Sequence, residues 1–265
     1  MRTALTIAGS DPSGGAGVQA DLKTFAAFGL YGASAITAVT VQSTKGVEAV
    51  APLAADLVTA QIEAVAGDLT IAATKIGMLA TAAIVEAIAA AIEELDLPLV
   101  VVDPVLVSSS GERLLDADGV AALRHLLLPL ARVVTPNIPE AEALSGVRIT
   151  SPNKAREAAR RIQDIGPRSV IITGGHGSGA TIVDLLLDGR EFYEHATARV
   201  ETRNTHGTGC TFASAVAAGL ALGHSVPEAA ARAQQYVAGA IAHAPGIGHG
   251  RGPLDHFWEW RSRSG

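Results

Sequence analysis

Short runs of β-branched residues alternate along this chain with longer alanine- and leucine-rich runs of helical period. Strands are predicted where apolar residues follow one another directly, and helices where apolar positions recur every three or four residues. The continuous apolar run PLVVVD at 98–103 is typical of a strand that is buried on both faces of a parallel sheet. The alternation therefore predicts an α/β fold with a doubly wound, mostly parallel central sheet and helices on both faces.

The same pattern gives the order of the elements. Strands are predicted at 4–8, 34–41, 72–77, 98–103, 131–137 and 169–175, followed by a hairpin at 180–196 that turns at Asp188 and Gly189. Helices are predicted at 18–28, 54–66, 81–95 and 152–165, and two more begin near Thr208 and Val226. No long linker, low-complexity stretch or internal repeat divides the sequence. Residues 1–265 are therefore predicted to form a single domain.

Composition narrows the functional classes. Hydrophobic residues make up 48% of the chain and aromatic residues only 4%, so the core must be aliphatic and alanine-rich. A net charge of −6, with no cluster of lysine and arginine, argues against a nucleic-acid-binding protein. We expect no secretory signal and no membrane span, because the apolar runs are too short or carry charges. The single cysteine excludes an internal disulfide and favours the cytoplasm.

Small or polar residues stand directly after each predicted strand. In doubly wound sheets, ligands bind beyond the carboxyl ends of the strands. Loops are polar in any case, but this placement recurs strand after strand, which favours a polar binding crevice. The residues concerned are Gly9, Asp11, Gln42, Gly77, Asp103, Asn137, Gly174 and Gly175.

Two familiar glycine motifs fail on inspection. GAGVQA at 15–20 matches the dinucleotide fingerprint, but the second strand ends in Gln42 where an acidic residue should hold the ribose. A Rossmann oxidoreductase is therefore only the second enzyme hypothesis. A P-loop is excluded because Gly15 and Ala16 stand where lysine and serine or threonine are required, and no G-x-S-x-G motif is present.

The stretch NTHGTGC at 204–210 places the lone cysteine where a glycine turn becomes a helix. Backbone N–H groups at a helix start suit a phosphate, and they should lower the pKa of a thiol. The alternative is that Cys210 is simply a small buried apolar residue, as free cysteines usually are. Among the histidines, His206 is the one most expected to touch a ligand.

A second motif, N-x-x-E, lies at a predicted strand-to-helix junction. Asn137 and Glu140 are one helical turn apart, so their side chains could face a hydrated Mg²⁺ together. The same spacing also fits a helix N-cap with its capping-box partner, and the sequence alone favours that structural alternative.

Taken together and in order, the motifs resemble one family. They are TIAGSDPSGGAGVQADLKTF, AVTVQSTKGV, KIGMLA, VVDPVLVSSSG, TPNIPEAEAL, TGGHGSG, RNTHGTGCTFASA and IGHGRGPLDHFWEW. From about Thr3 to Trp260 the chain resembles the bacterial hydroxymethylpyrimidine/phosphomethylpyrimidine kinases of thiamine biosynthesis, which belong to the ribokinase-like superfamily.

This resemblance implies an activity and a set of site residues. Members phosphorylate 4-amino-5-hydroxymethyl-2-methylpyrimidine and then its monophosphate, with ATP and Mg²⁺, and are commonly homodimers. The backbone of Gly207, Thr208, Gly209 and Cys210 would form the anion hole, with Cys210 in the position of the catalytic base. The pyrimidine pocket would comprise Gly9, Asp21, Gln42, Met78 and Val105. The nucleotide and Mg²⁺ would lie near Asn137, Glu140 (through water), Thr173, Gly175 and His206, and the segment after Gln42 could close as a lid.

The chain departs from the family pattern at two positions. Ser109 and Thr173 stand where the family usually has lysines that face the nucleotide phosphates, which leaves ATP affinity and the second phosphorylation open. Two other functions therefore stay under consideration, a pyridoxal kinase of the same subfamily and a non-catalytic pyrimidine-binding protein. Gln42 favours an aminopyrimidine over pyridoxal, because an amide both donates and accepts hydrogen bonds. The complete NTHGTGC and N-x-x-E motifs favour catalysis over binding alone.

Overall fold

Within the residues that the structure describes, a sheet of nine strands forms the centre of the fold. The computed structural model describes residues 1–107, 111–175 and 179–263. The strands are β1 (Thr3–Ser10), β2 (Tyr31–Ser43), β3 (Gly46–Pro52), β4 (Ile71–Ile76), β5 (Val100–Val102), β6 (Val133–Val134), β7 (Ser169–Ile172), β8 (Thr181–Asp188) and β9 (Glu191–Ala198). Their order across the sheet is β3-β2-β1-β4-β5-β6-β7-β8-β9.

The middle of the sheet is parallel, as predicted. Strands β2, β1, β4, β5, β6 and β7 pair with one another in parallel, whereas β3, β8 and β9 are antiparallel to their neighbours. The carboxyl ends of six strands therefore meet at one edge, where a doubly wound fold binds its ligand.

Helices cover both faces of this sheet. They are α1 (Gly17–Ala27), α2 (Ala55–Asp68), α3 (Ala82–Glu94), α4 (Ala117–Ala122), α5 (Ile138–Ser145), α6 (Pro152–Gln163), α7 (Thr208–Ala221), α8 (Val226–Ala242) and α9 (Trp258–Arg263). A π-helical turn (Leu123–Leu127) and a 3-10 turn (Leu128–Leu130) follow α4. Side chains of α2, α3, α5 and α6 pack in one core, and those of α1, α7 and α8 in the other. None of the helices within the described ranges is long and apolar enough to cross a bilayer.

Among the helices that the structure describes, α7 has the largest buried share of residues. Every residue from Thr211 to Ala221 is buried, and alanine or glycine occupies many of these positions. Small side chains let the helix lie close to the sheet and to α8, where a Cβ on Gly219 would stand 2.8 Å from the Cβ of Ala229. This close packing gives the first turn of α7 a fixed position beside the strand ends.

Most predicted elements are confirmed, with four main differences. Helix α4 and the π-helical and 3-10 turns that follow it were not predicted. Strand β3 was not predicted, since its residues are half-buried or exposed and show little apolar contrast. The β8–β9 hairpin turns at Gly189 and Arg190, because Asp188 still pairs with Glu191. The short helix α9 adds a third helix after residue 208, where two were predicted.

Candidate active site

The loop between β1 and α1 is organised by one carboxylate. Asp11 accepts hydrogen bonds from the N–H groups of Ser13 (2.8 Å), Gly15 (3.2 Å) and Ala16 (2.8 Å). Burial alone would raise the pKa of Asp11, but its hydrogen bonds from His206 and Ser13 outweigh burial and lower the pKa to about 2. A permanently ionised Asp11 therefore holds this loop in shape.

The glycine turn before α7 packs directly against that loop. Gly207 has φ of 82°, and a Cβ there would collide with the backbone oxygen of Gly15. Only glycine combines this left-handed conformation with so close an approach. The predicted junction of a glycine turn and a helix is confirmed, and the turn is held against the β1 loop.

The first turn of α7 presents unpaired backbone donors. Thr211 N–H already bonds Gly207 O within the helix (2.9 Å), and Thr208 N–H makes a long bond to Thr205 O (3.4 Å). Within the described part of the chain, no group accepts a hydrogen bond from the N–H of Gly209 or Cys210. Two free donors at the positive end of a helix make a site for an anion.

The side chain of Cys210 is not in the state predicted. The residue is partly exposed, and its thiol lies close to the Asp103 carboxyl group and to the N–H of Gly17. Burial of the sulfur raises the pKa of Cys210 to about 12, and this effect exceeds the opposing effects of the positive charge of Lys75 and of the nearby Gly17 N–H. The prediction of a lowered pKa was therefore wrong, because the sequence motif shows the helix start but not the burial of the sulfur.

Asp103, at the end of β5, is the acidic partner of that thiol. Burial raises the pKa of Asp103 to about 6, against the opposing charge of Lys75. Near neutral pH it is therefore mainly ionised and able to accept a proton. Sequence analysis placed Asp103 at a strand end but gave it no role. The signal was present, since a lone carboxylate directly followed a fully apolar strand.

Asp21 lies beneath the crevice rather than in it. Its side chain is wholly buried, and its oxygens accept bonds from Lys75 (2.9 and 3.0 Å), Thr6 (2.6 Å) and Ser214 (2.7 Å). With its oxygens engaged in this way, the carboxylate has no exposed surface for a pyrimidine, so the predicted direct contact is not supported. Lys75 was missed altogether, although a lysine inside an apolar strand is an unusual feature.

Gln42 and His206 lie side by side, with their nitrogens 3.4 Å apart. His206 Nε2 is also 2.7 Å from Asp11, and an ionised carboxylate can only accept, so this nitrogen must carry the proton. A protonated Nε2 cannot accept from the Gln42 amide as well. The N–H groups of Gln42 are therefore available to a ring nitrogen, and His206 lies on the Gln42 side of the crevice rather than beside Asn137.

Three further predicted pocket residues lie at neighbouring strand ends. A Cβ on Gly9 would collide with the methyl group of Met78, so the absence of a side chain at Gly9 makes room for Met78. Thr37 fixes the strand end through a 2.6 Å bond from its hydroxyl to Met78 O. Val105 N–H bonds Asp103 O (2.8 Å), which turns the chain sharply after β5. The strand order thus brings Gly9, Met78 and Val105 to one edge.

Asn137 and Glu140 form the capping box that the sequence had favoured. Asn137 Oδ1 accepts from Glu140 N–H (3.0 Å), and Glu140 Oε2 accepts from Asn137 N–H (2.9 Å). Burial, followed by the charge of Asp103, raises the pKa of Glu140 to about 8. No cluster of three or more histidine, cysteine or acidic side chains that could hold a metal occurs among the described residues. The buried Glu140 carboxyl group still fits a hydrated Mg²⁺, because the charge of the ion would favour its ionised form and Mg²⁺ binds largely through water and phosphate oxygens.

The loop after β7 lies beside this capping box. Thr173 forms a bridge with Asn137, and Gly174 N–H bonds Asp184 (2.8 Å). Arg199 donates to the carbonyl oxygens of Gly175 (3.2 Å) and Gly179 (2.8 Å), so a cation lies at this loop although Thr173 is not a lysine. The other departure, Ser109, lies outside the described residues.

Comparison with known proteins identifies the family of this site. The family model for phosphomethylpyrimidine kinase matches residues 11–255. The chain belongs to the phosphomethylpyrimidine kinase family. The hydroxymethylpyrimidine/phosphomethylpyrimidine kinase of Rhizobium meliloti is 49% identical to this chain, over 97% of each protein. The thiamine biosynthesis bifunctional protein ThiED of Geobacter sulfurreducens is 47% identical over 96% of this chain, which spans 52% of that protein.

Solved structures in the family share the fold. A phosphomethylpyrimidine kinase from Clostridium difficile is 41% identical, with a TM-score of 0.81 over 91% of this chain and 100% of that one. The pyridoxal kinase from Staphylococcus aureus in complex with AMP-PCP and pyridoxal is 38% identical, with a TM-score of 0.90 over 98% and 95% of the two chains. The predicted ribokinase-like fold and kinase class are thus confirmed, whereas the roles of individual site residues stay predictions.

Proposed function

We propose that this kinase transfers a phosphoryl group from ATP to the hydroxymethyl group of 4-amino-5-hydroxymethyl-2-methylpyrimidine, and then phosphorylates the monophosphate to the diphosphate for thiamine biosynthesis. The names of its relatives support this substrate. The observation that carries the proposal is the start of α7, where two unpaired N–H groups adjoin the Cys210–Asp103 pair. We further propose that residues 1–265 act as a single kinase domain in the cytoplasm, which the lone cysteine supports.

The acceptor would bind between the ends of β1, β2, β4 and β5. The Gln42 amide can donate to a ring nitrogen and accept from the exocyclic amino group of an aminopyrimidine. Gly9, Met78 and the chain at Val105 would surround the ring. This placement directs the hydroxymethyl group toward Cys210 and the start of α7.

Proton transfer in the first step would use the Cys210–Asp103 pair. The hydroxyl oxygen attacks the γ-phosphorus of ATP as its proton passes to the sulfur of Cys210. The thiol proton passes in turn to the Asp103 carboxylate, while the bond from the γ-phosphorus to its bridging oxygen breaks and ADP leaves with the electron pair. The N–H groups of Gly209 and Cys210 stabilise the charge on the moving phosphoryl oxygens.

The nucleotide would lie over the start of α7 and toward the loop after β7. ADP and AMP-PCP complexes of structural relatives support an adenine nucleotide as the donor. Glu140, through water, and Asn137 would hold a Mg²⁺ ion, which when bound neutralises phosphate charge. Arg199 would add positive charge at the loop that Thr173 begins.

A second candidate is pyridoxal phosphorylation. The structural likeness to pyridoxal kinases favours it, with TM-scores of 0.90 for the enzymes of Bacillus subtilis and Staphylococcus aureus. Pyridoxal is also a hydroxymethyl heteroaromatic, so the same phosphoryl-transfer groups would serve. Its ring lacks the amino group beside a ring nitrogen that Gln42 can pair with, so we place it second.

We also propose a homodimer. Val39 and Val41 expose 48% and 56% of their surface on β2, and β3 leaves an unpaired edge next to it. Apolar strands at an open edge are a surface that a second copy can cover. Sedimentation of the purified protein tests this proposal, and a monomer at micromolar concentration would contradict it.

The function is tested by incubating the protein with ATP, Mg²⁺ and either the pyrimidine alcohol or pyridoxal, and by measuring ADP and product mass. We expect pyrimidine monophosphate and diphosphate, and slower turnover of pyridoxal. Gly207→Ala should abolish turnover, because its Cβ collides with Gly15 O. Gly189→Ala is the matched control, since its φ of 60° is also positive but open space surrounds it in the β8–β9 turn. Folded protein that forms no pyrimidine phosphate would refute the proposal.

A further inference from the structure

A buried ion pair lies directly below the first turn of α7. Lys75 and Asp21 are both 0% exposed, and the ammonium nitrogen is 2.9 and 3.0 Å from the two carboxylate oxygens. Burying two charges costs free energy that their mutual attraction often fails to offset, so such pairs are weak evidence for stability alone. The mechanism described above gives neither charge a task.

Four elements converge on this pair. Asp21 belongs to α1 and Lys75 to β4, while Thr6 of β1 and Ser214 of α7 donate to Asp21. Ser214 stands four residues after Cys210, which is about one helical turn. Gly77 leaves room for the ammonium group, since a Cβ there would be 2.7 Å from the Lys75 nitrogen. The ion pair is therefore linked through Ser214 to α7, the helix that carries Cys210, and through β4 and β1 to the strand ends.

Around Cys210, the acidic groups outnumber the basic ones. Asp103, Asp21 and Lys75 act on the thiol, and Glu140 adds a further carboxyl group beside Asp103. Lys75 is the cation of this group, and its charge favours ionisation of both Cys210 and Asp103. Burial lowers the pKa of Lys75, but Asp21, Cys210 and Asp103 outweigh it and raise that pKa above its usual value. Lys75 therefore stays charged at neutral pH.

We propose that Lys75 is a positioning residue of the phosphoryl-transfer site, whose buried ammonium keeps the Cys210–Asp103 pair negatively charged until the pair takes the proton of the acceptor hydroxyl. This inference rests on the proposed function for its place in the reaction. The alternative is a purely structural pair that ties α1, α7 and β4 together. A structural role would not change the ionisation of Cys210 in a folded variant.

The lone cysteine makes a direct test possible. Alkylation by iodoacetamide, followed by intact mass, reports Cys210 alone, because the chain has no other cysteine. The thiolate is the reactive form, and a charge of opposite sign nearby shifts a pKa by about 1–3 units. Lys75→Met should therefore slow alkylation of the native protein at pH 8 by about tenfold or more. Lys154→Met, which removes an exposed lysine from α6, should leave the rate unchanged.

A second variant covers the case in which Lys75→Met fails to fold. The double variant Asp21→Asn with Lys75→Met removes both charges, and the new amide can accept from Ser214 through its oxygen and donate to the Thr6 hydroxyl through its nitrogen. Alkylation should still be slower than in the wild type, because Lys75 acts on Cys210 more strongly than Asp21 does. Urea-unfolded samples should react at the same rate, which shows that the difference lies in the folded state.

Activity provides an independent readout. In either folded variant, the first phosphorylation should fall relative to the second, and its pH profile should move to higher pH. Wild-type alkylation rates in a folded variant would overturn the inference. Wild-type protein without any kinase activity would instead refute the proposed function, and the alkylation result would still decide whether Lys75 stabilises the thiolate.

Discussion

Replacing Gln42 by methionine tests how the acceptor ring is recognised. The substitution keeps the length of the side chain but removes its donor and acceptor. The Thr40 hydroxyl, which lies 3.1 Å from Gln42 Oε1, also donates to Ser10 O (2.8 Å), and His206 keeps its bond to Asp11 (2.7 Å), so both neighbours of Gln42 retain a partner. The substitution should therefore weaken substrate binding rather than destabilise the fold.

The loss of binding free energy follows from the polar ring atoms that the substitution leaves unpaired. Leaving a buried polar group unpaired costs about 1–3 kcal/mol. Since about 1.4 kcal/mol corresponds to a factor of ten, the KM for the pyrimidine alcohol should rise about 5- to 150-fold, with little change in the free energy of unfolding. Steady-state kinetics with both acceptors measures the effect, and pyridoxal should be affected less.

Gln163→Met is the matched control. Gln163, the last residue of α6, donates to Arg168 O (3.0 Å) at the surface, so the variant should keep the wild-type KM. If Gln42→Met also keeps the wild-type KM for the pyrimidine, the amide does not contact the ring and the assigned pocket is wrong.

Three other outcomes are expected. Cys210→Ala should slow the first phosphorylation by roughly 10²–10⁴-fold and the second far less, because a phosphate acceptor with a second pKa of about 6 is already ionised; equal losses in single-turnover assays would assign Cys210 to the anion hole instead. Thr173→Lys should tighten ATP binding by roughly 1 kcal/mol or more, and an unchanged Kd by calorimetry would mean that Arg199 already supplies the charge. The pKa of Asp11 is lowered from 3.8 to about 2, so its stabilising effect is present above pH 3.8 and is lost as the pH falls through 2. Urea unfolding between pH 5 and 2 should therefore show the wild type losing about 2 kcal/mol more than Asp11→Asn, and parallel losses would show that Asp11 does not carry this pH dependence.

Local patterns in the sequence were sufficient for most of the fold. Buried parallel strands such as β5 and β7 have apolar runs, and helices such as α3 have a clear apolar face, so their positions could be predicted. Strand β3 lies at an edge with much of its surface exposed, and it lacks both signals. The two-residue strand β6 is defined more by its neighbours than by its own residues.

The site was predictable where a motif determines the backbone, and not where tertiary packing determines the chemistry. The glycine turn at Gly207 and the capping box at Asn137 follow from local sequence. The state of Cys210 depends on how deeply α7 packs and on Asp103, which is far away in the sequence. The partner of Lys75 is 54 residues distant, so the ion pair with Asp21 has no local signature.

Product analysis by mass spectrometry tests the central claim most directly. Purified protein is incubated with ATP, Mg²⁺ and the pyrimidine alcohol, beside the Cys210→Ala variant. We predict that the wild type forms the monophosphate and then the diphosphate, and that the variant forms diphosphate readily only when it is supplied with the monophosphate. Folded wild-type protein that forms neither product would contradict the assignment of this site to pyrimidine phosphorylation.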